Sequence, residues 1–552
     1  MKQPIIDCLS KLLKLLKLKK EEVEKFVEIP PNTEMGDYAF PCFVLSKTLR
    51  KPPVEIATEF ARELSKLKIK GVERIECNGA YLNFFIDKKE FIKEIIARAV
   101  DDNFGKGSEK RKILLEHTSI NPNASPHVGR ARNSIIGDSI ARTLRFLGNK
   151  VETHYYVNDV SKQVAILAMN FSPKDRFENM LEKYVKASKQ IADNPKLEKK
   201  VFEMLEKFEN NDKKTVEKFH RIVKICIDGQ KEIFNKFGIA FDYFDYESMY
   251  SGKKSEDVLK KLEKTSKLFK DDEGRIVLNQ KGTPVERKMK APFFVLARSN
   301  RTGLYGLRDI AYTLEKMKKG ENIIILGEDQ KLYFEQISEA LKILGSGSPK
   351  VVHYSFVLIN EDGEKRKMST RKGELVLLEE FLKEAEQKAE KEIKKRKTKG
   401  DALKIAVGAI KYAMLKNDNN KNIVFSWEQS LSFEGDSGPY LQYSYARASS
   451  ILKNVKKNTK HFDIPAPNEQ EIALAKKINE FPEIVQKAGE TLNPSIIANY
   501  SFQLAQTFNE FYHSCKVVGC EYEMFRAHLV RAFQNTIKKS LYLLGIEVME
   551  EM

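Results

Sequence analysis

The sequence predicts an α/β fold, in which a parallel-sheet domain follows a small mixed domain and precedes a bundle of helices. An apolar run at 113–115 leads through a Pro-broken turn into a long amphipathic segment that ends at Gly148, and a second run, 351–359, leads into a cationic loop that ends at Gly373. Two such loops, each after a strand and each suited to phosphate, indicate a nucleotide held between the halves of a parallel sheet. Apolar repeats at helical spacing from about residue 435 onward predict the bundle.

The length and the charge limit the possible functions. A chain of 552 residues is long enough for several domains and too long for a lone binding module. Lys and Arg number 96 against 78 Asp and Glu, a net charge of +18. That excess suits a polyanionic partner, but a generally lysine-rich composition would produce it equally well, so both interpretations stay open.

The six cysteines are scattered, without a Cys-x-x-Cys pair or a histidine at finger spacing, so neither a disulfide framework nor a zinc site is expected. Leucines and lysines segregate at helical spacing over 11–20, which could imitate a membrane-surface helix. Acidic residues follow at once, and this favours a packed surface helix. No apolar run reaches the length of a bilayer span. The sequence therefore predicts a cytoplasmic protein with no metal site and no membrane partner.

The small mixed domain is predicted over residues 1–105. Helical patterns lie near 5–28 and 53–68, and a short alternating strand is predicted at 77–86. In the parallel-sheet domain, the highly charged stretch 171–265 is helical in pattern and predicts an insertion between the two halves of the sheet. The second half of the sheet resumes with an apolar run that ends before Gly327.

The first of the two loops carries candidates for phosphate binding at the start of the helix near His127. A helix N-terminus offers unpaired N–H groups and a positive dipole end, and Gly129 lets a phosphate approach the backbone. His127 could donate a hydrogen bond to that phosphate. A lone His-x-Gly is a weak motif, but the second loop, Lys367-Met-Ser-Thr-Arg-Lys-Gly373, makes the pair informative.

With both loops in view, the chain resembles the class I aminoacyl-tRNA synthetases, whose two signature motifs are written HIGH and KMSKS. It is most similar to the arginyl-tRNA synthetases, and the resemblance covers almost the whole chain. The stretches that carry it are Asn121 six residues before His127, Tyr305-Gly-Leu-Arg-Asp309, Gly327-Glu-Asp-Gln330, the Met-Ser-Thr-Arg-Lys-Gly form of the second loop, and Gly435-Asp-Ser-Gly-Pro-Tyr-Leu-Gln-Tyr443.

The resemblance implies three domains and an activity. Residues 1–105 would form an additional tRNA-contacting domain, 106–434 a Rossmann-type catalytic domain with a helical insertion at 171–265, and 435–552 an all-helical anticodon-binding bundle. The implied reaction activates L-arginine with ATP to arginyl-adenylate and transfers it to the terminal adenosine of tRNA(Arg). L-arginine, ATP and tRNA(Arg) are the implied partners, Mg²⁺ would come as the ATP complex, and a monomer is expected.

The resemblance also implies the residues that perform the chemistry. Adenylyl transfer depends mostly on positioning and electrostatics, so cations and N–H donors are the expected parts. The expected catalytic residues are His127, Gly129, Arg130, Lys367, Ser369 and Arg371. The expected ATP-binding residues are His127, Gly129, Arg130, Lys367, Met368 and Ser369.

Carboxylates suit the substrate, because a guanidinium is planar and carries five donors. Tyr305 and Asp309 are four residues apart and would share one face if their segment is helical. By resemblance, Asp309 and Glu116 would read the guanidinium, while Asn121, Tyr305 and Gln330 would hold the rest of the arginine.

Contacts with tRNA are implied in the first and last domains. The residues expected to make them are Tyr81, Asn83, Gln442, Tyr443 and Arg447.

Two positions depart from the family pattern. Arg130 replaces the second histidine of the HIGH motif; it can still donate to a phosphate, although it is longer and permanently charged. In the second loop Lys367 and Ser369 match, but Thr370 and Arg371 replace the last lysine and serine of the motif. Family members that lack that lysine often place one just before the HIGH motif, and this chain has none there.

These departures leave two questions open. The cation that stabilises the transferring phosphate could be Arg130, Lys367, Arg371 or Lys372, and the sequence does not choose among them. The alternative function is a catalytically impaired synthetase paralogue that acts as an RNA-binding protein. A cysteinyl enzyme is disfavoured, because it would need a zinc site that this cysteine pattern does not provide.

Overall fold

The structure, a computed structural model, describes residues 2–13, 20–123, 125–361, 364–367, 370–371, 374–455 and 463–552. The chain forms two compact units. The first comprises residues 1–104, 451–479 and 507–535, and the second comprises residues 105–450, 480–506 and 536–552. Both units therefore include parts of the C-terminal helices.

The secondary structure alternates between strands and helices up to residue 425 and is helical thereafter. The strands are β1 (Tyr38–Pro41), β2 (Val72–Asn78), β3 (Tyr81–Ile86), β4 (Lys112–Glu116), β5 (Lys150–Val157), β6 (Tyr243–Tyr246), β7 (Leu268–Lys270), β8 (Ile276–Asn279), β9 (Phe293–Ala297), β10 (Glu321–Gly327), β11 (Lys350–Tyr354), β12 (Val357–Glu361), β13 (Glu364–Lys367), β14 (Thr370–Arg371), β15 (Glu374–Leu375) and β16 (Ile423–Phe425). The helices are α1 (Lys2–Leu13), α2 (Lys20–Phe26), α3 (Ser46–Leu49), α4 (Pro53–Ser65), α5 (Lys88–Ala99), α6 (Val128–Phe146), α7 (Lys162–Met169), α8 (Phe177–Asp193), α9 (Pro195–Glu209), α10 (Lys213–Lys236), α11 (Lys253–Glu263), α12 (Tyr305–Met317), α13 (Lys331–Ile343), α14 (Leu378–Arg396), α15 (Ala402–Leu415), α16 (Trp427–Ser430), α17 (Gly438–Lys453), α18 (Glu469–Asn479), α19 (Phe481–Thr491), α20 (Ser495–Ser514) and α21 (Glu523–Leu543).

The first unit is built on an antiparallel sheet with the strand order β1–β3–β2. Phe40 and Phe84 on this sheet and Ile5 on α1 belong to one buried apolar core. The single strand predicted at 77–86 is wrong in detail, because β2 and β3 pair as a hairpin around Gly79, whose φ is +56°. The Asn78-Gly79 pair is the sequence signal of this hairpin. Helices α1 and α2 occupy the pattern predicted near 5–28, except for residues 14–19, which lie outside the described residues.

The parallel sheet of the second unit has the order β11–β10–β4–β5–β6, and every pairing in it is parallel. This confirms the predicted α/β class. The core on one side of the sheet includes Leu307 and Ile310 of α12 together with Ile337 of α13. Helix α6 follows β4 and packs on the strands through a face that is almost entirely buried.

The stretch 171–265 is not a purely helical insertion. Helices α8, α9 and α10 form as predicted, with a break at 210–212 where the side chain of Asp212 caps α10. However, β6 pairs with β5 as the edge strand of the main sheet, so the all-helical prediction is wrong at 243–246. Tertiary contacts explain the strand: the ring of Tyr243 stacks 4.9 Å from the ring of His154 on β5.

The apolar run at 351–359 forms two strands instead of one. β11 belongs to the parallel sheet, and β12 turns away to pair with β16 and β13 in a small three-stranded sheet. The two strands are separated by Ser355 and Phe356. The change of sheet occurs just before the second signature loop.

The helical C-terminal region is present as predicted, with one difference. The apolar repeat at 472–485 is divided into α18 and α19 at Glu480. Pro482 lies in the first turn of α19, where a proline lacks only an N–H that would be unpaired anyway.

Within the second unit, the end of the chain is hydrogen-bonded to α6 and α15. Ser139 Oγ donates to the carbonyl of Leu543 at 2.8 Å, and Lys411 Nζ donates to the carbonyl of Gly545 at 2.8 Å. Lys411 is completely buried, and its ammonium lies 3.2 Å from Asp138, which Arg142 also contacts. Residues after α21 are thus part of the same packed structure as α6.

Candidate active site

The strand order places a ligand crevice between β4 and β10. From β4 the sheet extends to β5 and β6 on one side and to β10 and β11 on the other. In open parallel sheets, ligands bind outside the carboxyl ends of the strands at such a reversal of strand order. β4 ends at Glu116 and β10 ends at Gly327, so the loops after these residues line the crevice.

The turn after β4 has a strained backbone. Thr118 and Ser119 have φ values of 79° and 43°, and a β-branched residue rarely adopts positive φ. Asn133 of α6 stabilises the turn: its Oδ1 accepts from the amide of Thr118 at 2.6 Å, and its Nδ2 donates to the carbonyl of Ile325 on β10 at 2.9 Å. Strain of this kind tends to occur at functional sites, and here it shapes the loop that leads to His127.

His127 stands at the N-cap of α6 with an extended backbone, and its side chain makes no capping hydrogen bond. Its Nδ1 is buried and has no hydrogen-bond partner among the described residues. Burial, and to a lesser degree the charge of Arg130, lowers the pKa of the imidazole to about 4. The ring is therefore neutral at neutral pH, and a buried ring nitrogen next to a helix N-terminus is available to a ligand.

The start of α6 is clamped to the segment that follows the second loop. The amide of Val128 donates to the carbonyl of Val376 at 2.9 Å, and the amide of Leu378 donates to the carbonyl of Pro126 at 2.7 Å. These backbone bonds bring segments next to both signature loops into one place.

Arg130 lies in the first turn of α6, next to Gly129. Its guanidinium is within hydrogen-bonding reach of the hydroxyl of Tyr354, at the end of β11, and burial raises the pKa of that phenol. Arg130 therefore places a permanent positive charge beside the N-terminus of α6, where an anionic group would bind.

Helix α12 presents one face to the other side of the crevice. Tyr305, Asp309, Tyr312 and Lys316 are spaced four, three and four residues apart, the intervals that align side chains on a helix. The prediction that Tyr305 and Asp309 share a helical face is confirmed. Tyr305 is 56% exposed with its ring 5.2 Å from that of Tyr333, so it lies at the rim.

The carboxylate of Glu116 forms an ion pair with the ammonium of Lys316. Both side chains are almost completely buried. Removing one partner of such a pair leaves an uncompensated buried charge, which typically costs about 3–5 kcal/mol. The protein itself thus already neutralises Glu116.

The carboxylate of Asp309 is placed differently. It accepts a hydrogen bond from the hydroxyl of Tyr333 at 2.5 Å, and the hydroxyl of Tyr156 lies close by without hydrogen-bond geometry. The neighbouring cation, Arg308, is paired with Glu247 instead, at 2.6 Å. Burial raises the pKa of Asp309 to about 6. None of the described residues forms an ion pair with Asp309, so a cationic ligand would complete this half-buried carboxylate.

Two further acids hold α12 against the sheet. Burial raises the pKa of Glu247, and its ion pair with Arg308 opposes that rise. Asp245 of β6 accepts from the hydroxyl of Tyr312 at 2.8 Å, and Nδ1 of His154 lies 2.7 Å from the same oxygen. These contacts fix the helix that carries Asp309. We call Glu116, Asp245, Glu247 and Asp309 the carboxylate cluster.

Comparison with known proteins identifies the family. Three family models match consecutive stretches: the arginyl-tRNA synthetase N-terminal domain over residues 1–86, the catalytic domain of class I (R) tRNA synthetases over 92–427, and the DALR anticodon-binding domain over 441–552. The arginine–tRNA ligase of Methanocaldococcus jannaschii is 36% identical over 98% of this chain and 99% of its own length. The chain belongs to the arginyl-tRNA synthetase family. The arginine–tRNA ligase of Clostridium perfringens is 34% identical, and the match covers 97% of both chains.

Solved structures agree with this assignment. Thermus thermophilus arginyl-tRNA synthetase matches over the full length of both chains, with a TM-score of 0.81 and 26% identity. The Plasmodium falciparum enzyme shows the same fold, with a TM-score of 0.75 and 21% identity. The match covers 95% of this chain and 94% of that enzyme. The predicted fold class and the predicted function, ligation of arginine to tRNA, are confirmed.

In this family member, the residues predicted to bind arginine lie on elements and loops that border the crevice. Glu116 is buried and Asp309 is half-buried, and the two carboxylates are close enough for their charges to interact. Asn121 lies half-buried in the loop after β4, where its carbonyl accepts from Gln230 Nε2 at 3.1 Å. Gln330 is half-buried in the turn after β10. Their contacts with arginine stay predictions.

The second signature loop is described only in part. Lys367 ends β13 and Arg371 lies in β14. Met368, Ser369 and Lys372 lie outside the described residues. The choice among the candidate cations of this loop therefore stays open.

The residues predicted to bind tRNA differ in accessibility. Tyr81 is 37% exposed, whereas Asn83 is buried in β3. Gln442 is completely buried, and its Nε2 donates to the carbonyls of Lys404 and Glu547 at 3.1 and 2.9 Å. A side chain with no exposed surface cannot touch a bound RNA, so Gln442 supports the packing of α17.

The two other predicted tRNA residues, Tyr443 and Arg447, are partly exposed on α17. The guanidinium of Arg447 lies 4.7 Å from the ring centre of Tyr443 and donates to its hydroxyl at 3.0 Å. They form the accessible pair of the three residues that we predicted on this helix.

Several residues that lie around the predicted carboxylates and α12 were not predicted as site residues from the sequence. They are Tyr156, Asp245, Glu247, Arg308, Lys316 and Tyr333. Lys316 and Arg308 had a usable signal, since both lie on α12 within reach of the site by helical spacing. Tyr333 and Asp245 had none, because α13 and β6 approach Asp309 and Tyr312 only in the folded chain.

A cavity of about 490 Å³ lined by Arg142, Gly238, Lys404 and Tyr542 contains none of the predicted residues. No group of three His, Cys, Asp or Glu side chains in the described part of the chain has metal-binding geometry. None of the helices in those ranges is long and apolar enough to span a bilayer.

Proposed function

We propose that the crevice between β4 and β10 activates arginine with ATP, with Asp309 binding the guanidinium and the N-terminus of α6 binding the phosphates. One observation carries the proposal: Asp309 is a half-buried carboxylate for which the described residues provide no ion-pair partner, whereas its neighbour Glu116 is already paired with Lys316. His127 and Arg130 stand at the helix end that suits an anion.

Arginine fits Asp309 better than lysine does. A guanidinium can donate two parallel hydrogen bonds to one carboxylate, whereas an ammonium donates from a single nitrogen. The hydroxyl of Tyr333 holds the carboxylate in place. Polar discrimination of this type reaches about 10⁴-fold, so this pair supports selection of arginine over lysine.

The two chemical steps require charge stabilisation more than a covalent nucleophile. In the first, a carboxylate oxygen of arginine attacks the α-phosphorus of ATP, and pyrophosphate leaves. In the second, a hydroxyl of the terminal adenosine of tRNA(Arg) attacks the activated carbonyl, and AMP leaves. His127 donates to the phosphates as a neutral ring, Gly129 lets them approach, and Arg130 supplies a permanent cation. Lys367, Met368, Ser369 and Arg371 of the second loop would complete the ATP site.

Mg²⁺ is proposed to enter with ATP, because its hard charge pairs with phosphate oxygens. When bound, it would neutralise the charge of the leaving pyrophosphate. The residues of the chain orient the reactants around it.

We expect the affinity for arginine to increase as the pH rises through about 6. Burial raises the pKa of Asp309 to about 6, so the protonated form, which cannot pair with a guanidinium, predominates below that pH. Below pH 6 the apparent affinity should fall by up to about tenfold per pH unit. Arginine-dependent pyrophosphate exchange with saturating ATP and tRNA, measured from pH 5 to 8, tests this.

The control for this profile is Asp309→Asn, in which the slope below pH 6 should disappear. His127 should contribute no slope above pH 5, because the pKa of its ring is about 4. An arginine affinity that stays constant from pH 5 to 8 in the wild-type enzyme would contradict the assignment of Asp309.

We propose that Arg447 and Tyr443 contact tRNA, since they are the accessible pair on α17. Arg447→Ala should weaken tRNA binding and lower the salt dependence of binding by about one ion, because one phosphate contact is lost. The matched control is Arg301→Ala, since Glu256 and Glu263 already neutralise Arg301. Equal salt dependence in the wild type and in Arg447→Ala would exclude this contact.

A cytoplasmic location and a monomeric state stay predictions for this enzyme. Sedimentation tests the oligomeric state.

A further inference from the structure

Arg132 is the most deeply buried cation of α6 and lies two residues beyond Arg130. Its side chain is completely buried, and burial lowers the pKa of its guanidinium to about 10. No carboxylate of the described residues lies within ion-pair distance of it, so its direct hydrogen-bond partners are backbone carbonyls, with the charge of Glu328 acting from farther away. A buried guanidinium is costly, and its presence needs a reason.

The carbonyls that Arg132 binds belong to two separate loops. One terminal nitrogen donates to the carbonyls of Ser355 and Lys421 at 2.6 and 2.7 Å, and the other donates to the carbonyl of Asp418 at 3.0 Å. Ser355 separates β11 from β12, and residues 418–421 precede β16. Arg132 therefore ties α6 to the two chain segments that start the small sheet.

Ser355 is held by further bonds to the same loop. Its amide donates to the carbonyl of Asn419 at 2.9 Å, and its hydroxyl donates to the carbonyl of Asn420 at 2.7 Å. The amide of Phe356 donates to Oδ1 of Asn422 at 3.1 Å. The start of β12 is thus fixed on every side.

The loop that receives these bonds is fixed in turn. Asp418 Oδ1 accepts from Asn493 Nδ2 at 2.7 Å and from Ser495 Oγ at 3.1 Å. Asn419 Nδ2 donates to the carbonyl of Leu492 at 3.0 Å. Arg132 consequently binds a loop that is itself held by hydrogen bonds, so a substitution of Arg132 should shift the position of β12.

β12 leads directly to the second signature loop. It pairs antiparallel with β13, where Leu358 is opposite Lys367. We propose that Arg132 is a positioning residue. It holds the start of β12, and through the pairing of β12 with β13 it fixes the position of Lys367 relative to the start of α6. This inference rests on the role proposed above for the second loop.

The test is a double-mutant cycle between Arg132→Lys and Lys367→Ala in the full-length enzyme, measured by pyrophosphate exchange with tRNA. Lysine keeps the charge but has one nitrogen in place of the guanidinium fork, so it cannot reach both loops in the same geometry. Arg132→Lys should lower kcat by about 10- to 100-fold, with the KM for arginine unchanged, since a small misplacement of a reacting group costs this much. In the Lys367→Ala background, the same change should cost less than about threefold.

Two further variants separate positioning from general stability. Arg145→Lys makes the same change on the same helix, where the guanidinium binds the carbonyl of Val151 and Asp242, away from β12. It should leave kcat at the wild-type value. Ser355→Ala removes only the hydroxyl bond to Asn420, so it should lower kcat by a smaller factor than Arg132→Lys does. This variant tests the proposal if Arg132→Lys does not fold.

The results distinguish this inference from the proposed function. A Lys367→Ala variant with wild-type exchange would overturn the role of the second loop, and the inference with it. If Lys367→Ala is slow and the two losses multiply, only the positioning role of Arg132 is overturned. The positioning role of Arg132 is also overturned if the KM for arginine rises in Arg132→Lys while kcat stays constant, or if Ser355→Ala leaves kcat unchanged.

Discussion

Replacing His127 with alanine should lower the rate of arginyl-adenylate formation by about 10²–10³-fold, the usual loss when one preorganised donor to a developing charge is removed. The affinity for arginine should stay near the wild-type value, because His127 lies at the start of α6, whereas the carboxylates proposed to bind arginine lie on β4 and α12. Single-turnover formation of pyrophosphate with saturating tRNA measures this rate directly.

The matched control is His220→Ala, which removes an exposed histidine from α10. It should leave both the rate and the affinity unchanged. A wild-type rate in His127→Ala would remove His127 from the site, and a loss that appears only in the KM for arginine would assign it to substrate binding instead of phosphate stabilisation.

Asp309→Asn should weaken arginine binding by about 2–5 kcal/mol, the usual penalty when one member of a buried charge pair is truncated. That range corresponds to a rise in Kd of about 30-fold to several thousand-fold. The substitution preserves the volume and the contact with Tyr333, but it leaves one acceptor oxygen and removes the charge. ATP binding should barely change.

Citrulline tests whether charge causes the effect. It is planar but uncharged, so it should lose less affinity than arginine in Asp309→Asn. Asp175→Asn is the matched control, because Asp175 is a largely buried carboxylate that pairs with Lys183 in the charged helical region. If arginine binds Asp309→Asn with wild-type affinity, Glu116 becomes the leading candidate for the guanidinium.

The parts of the fold that depend on local pattern were predictable. The N-terminus of α6 follows a strand and a proline-broken turn, and the shared face of Tyr305 and Asp309 follows from helical spacing. The strand β6 and the division of 351–359 were not predictable, because hydrogen bonds from distant residues cause them. At Ser355 the decisive contacts come from Arg132 and the loop at 418–421.

The candidate site was predictable in its motif residues and not in their pairing. Both carboxylates, Glu116 and Asp309, were predicted through the family resemblance. The sequence pattern contained no sign that Lys316 would neutralise Glu116 or that Tyr333 would bind Asp309, because these pairs form between separate elements. This difference in pairing leaves Asp309, and not Glu116, without an ion pair among the described residues.

The central claim is that the guanidinium of arginine pairs with Asp309 while Lys316 stays on Glu116. A crystal structure of the enzyme with tRNA and an arginyl-adenylate analogue tests it most directly. The account predicts two guanidinium nitrogens at about 2.7–2.9 Å from the two carboxylate oxygens of Asp309, the distance of a charge-assisted hydrogen bond, with the Glu116–Lys316 pair intact. A guanidinium bound to Glu116 with Lys316 displaced, and no ligand contact at Asp309, would contradict it.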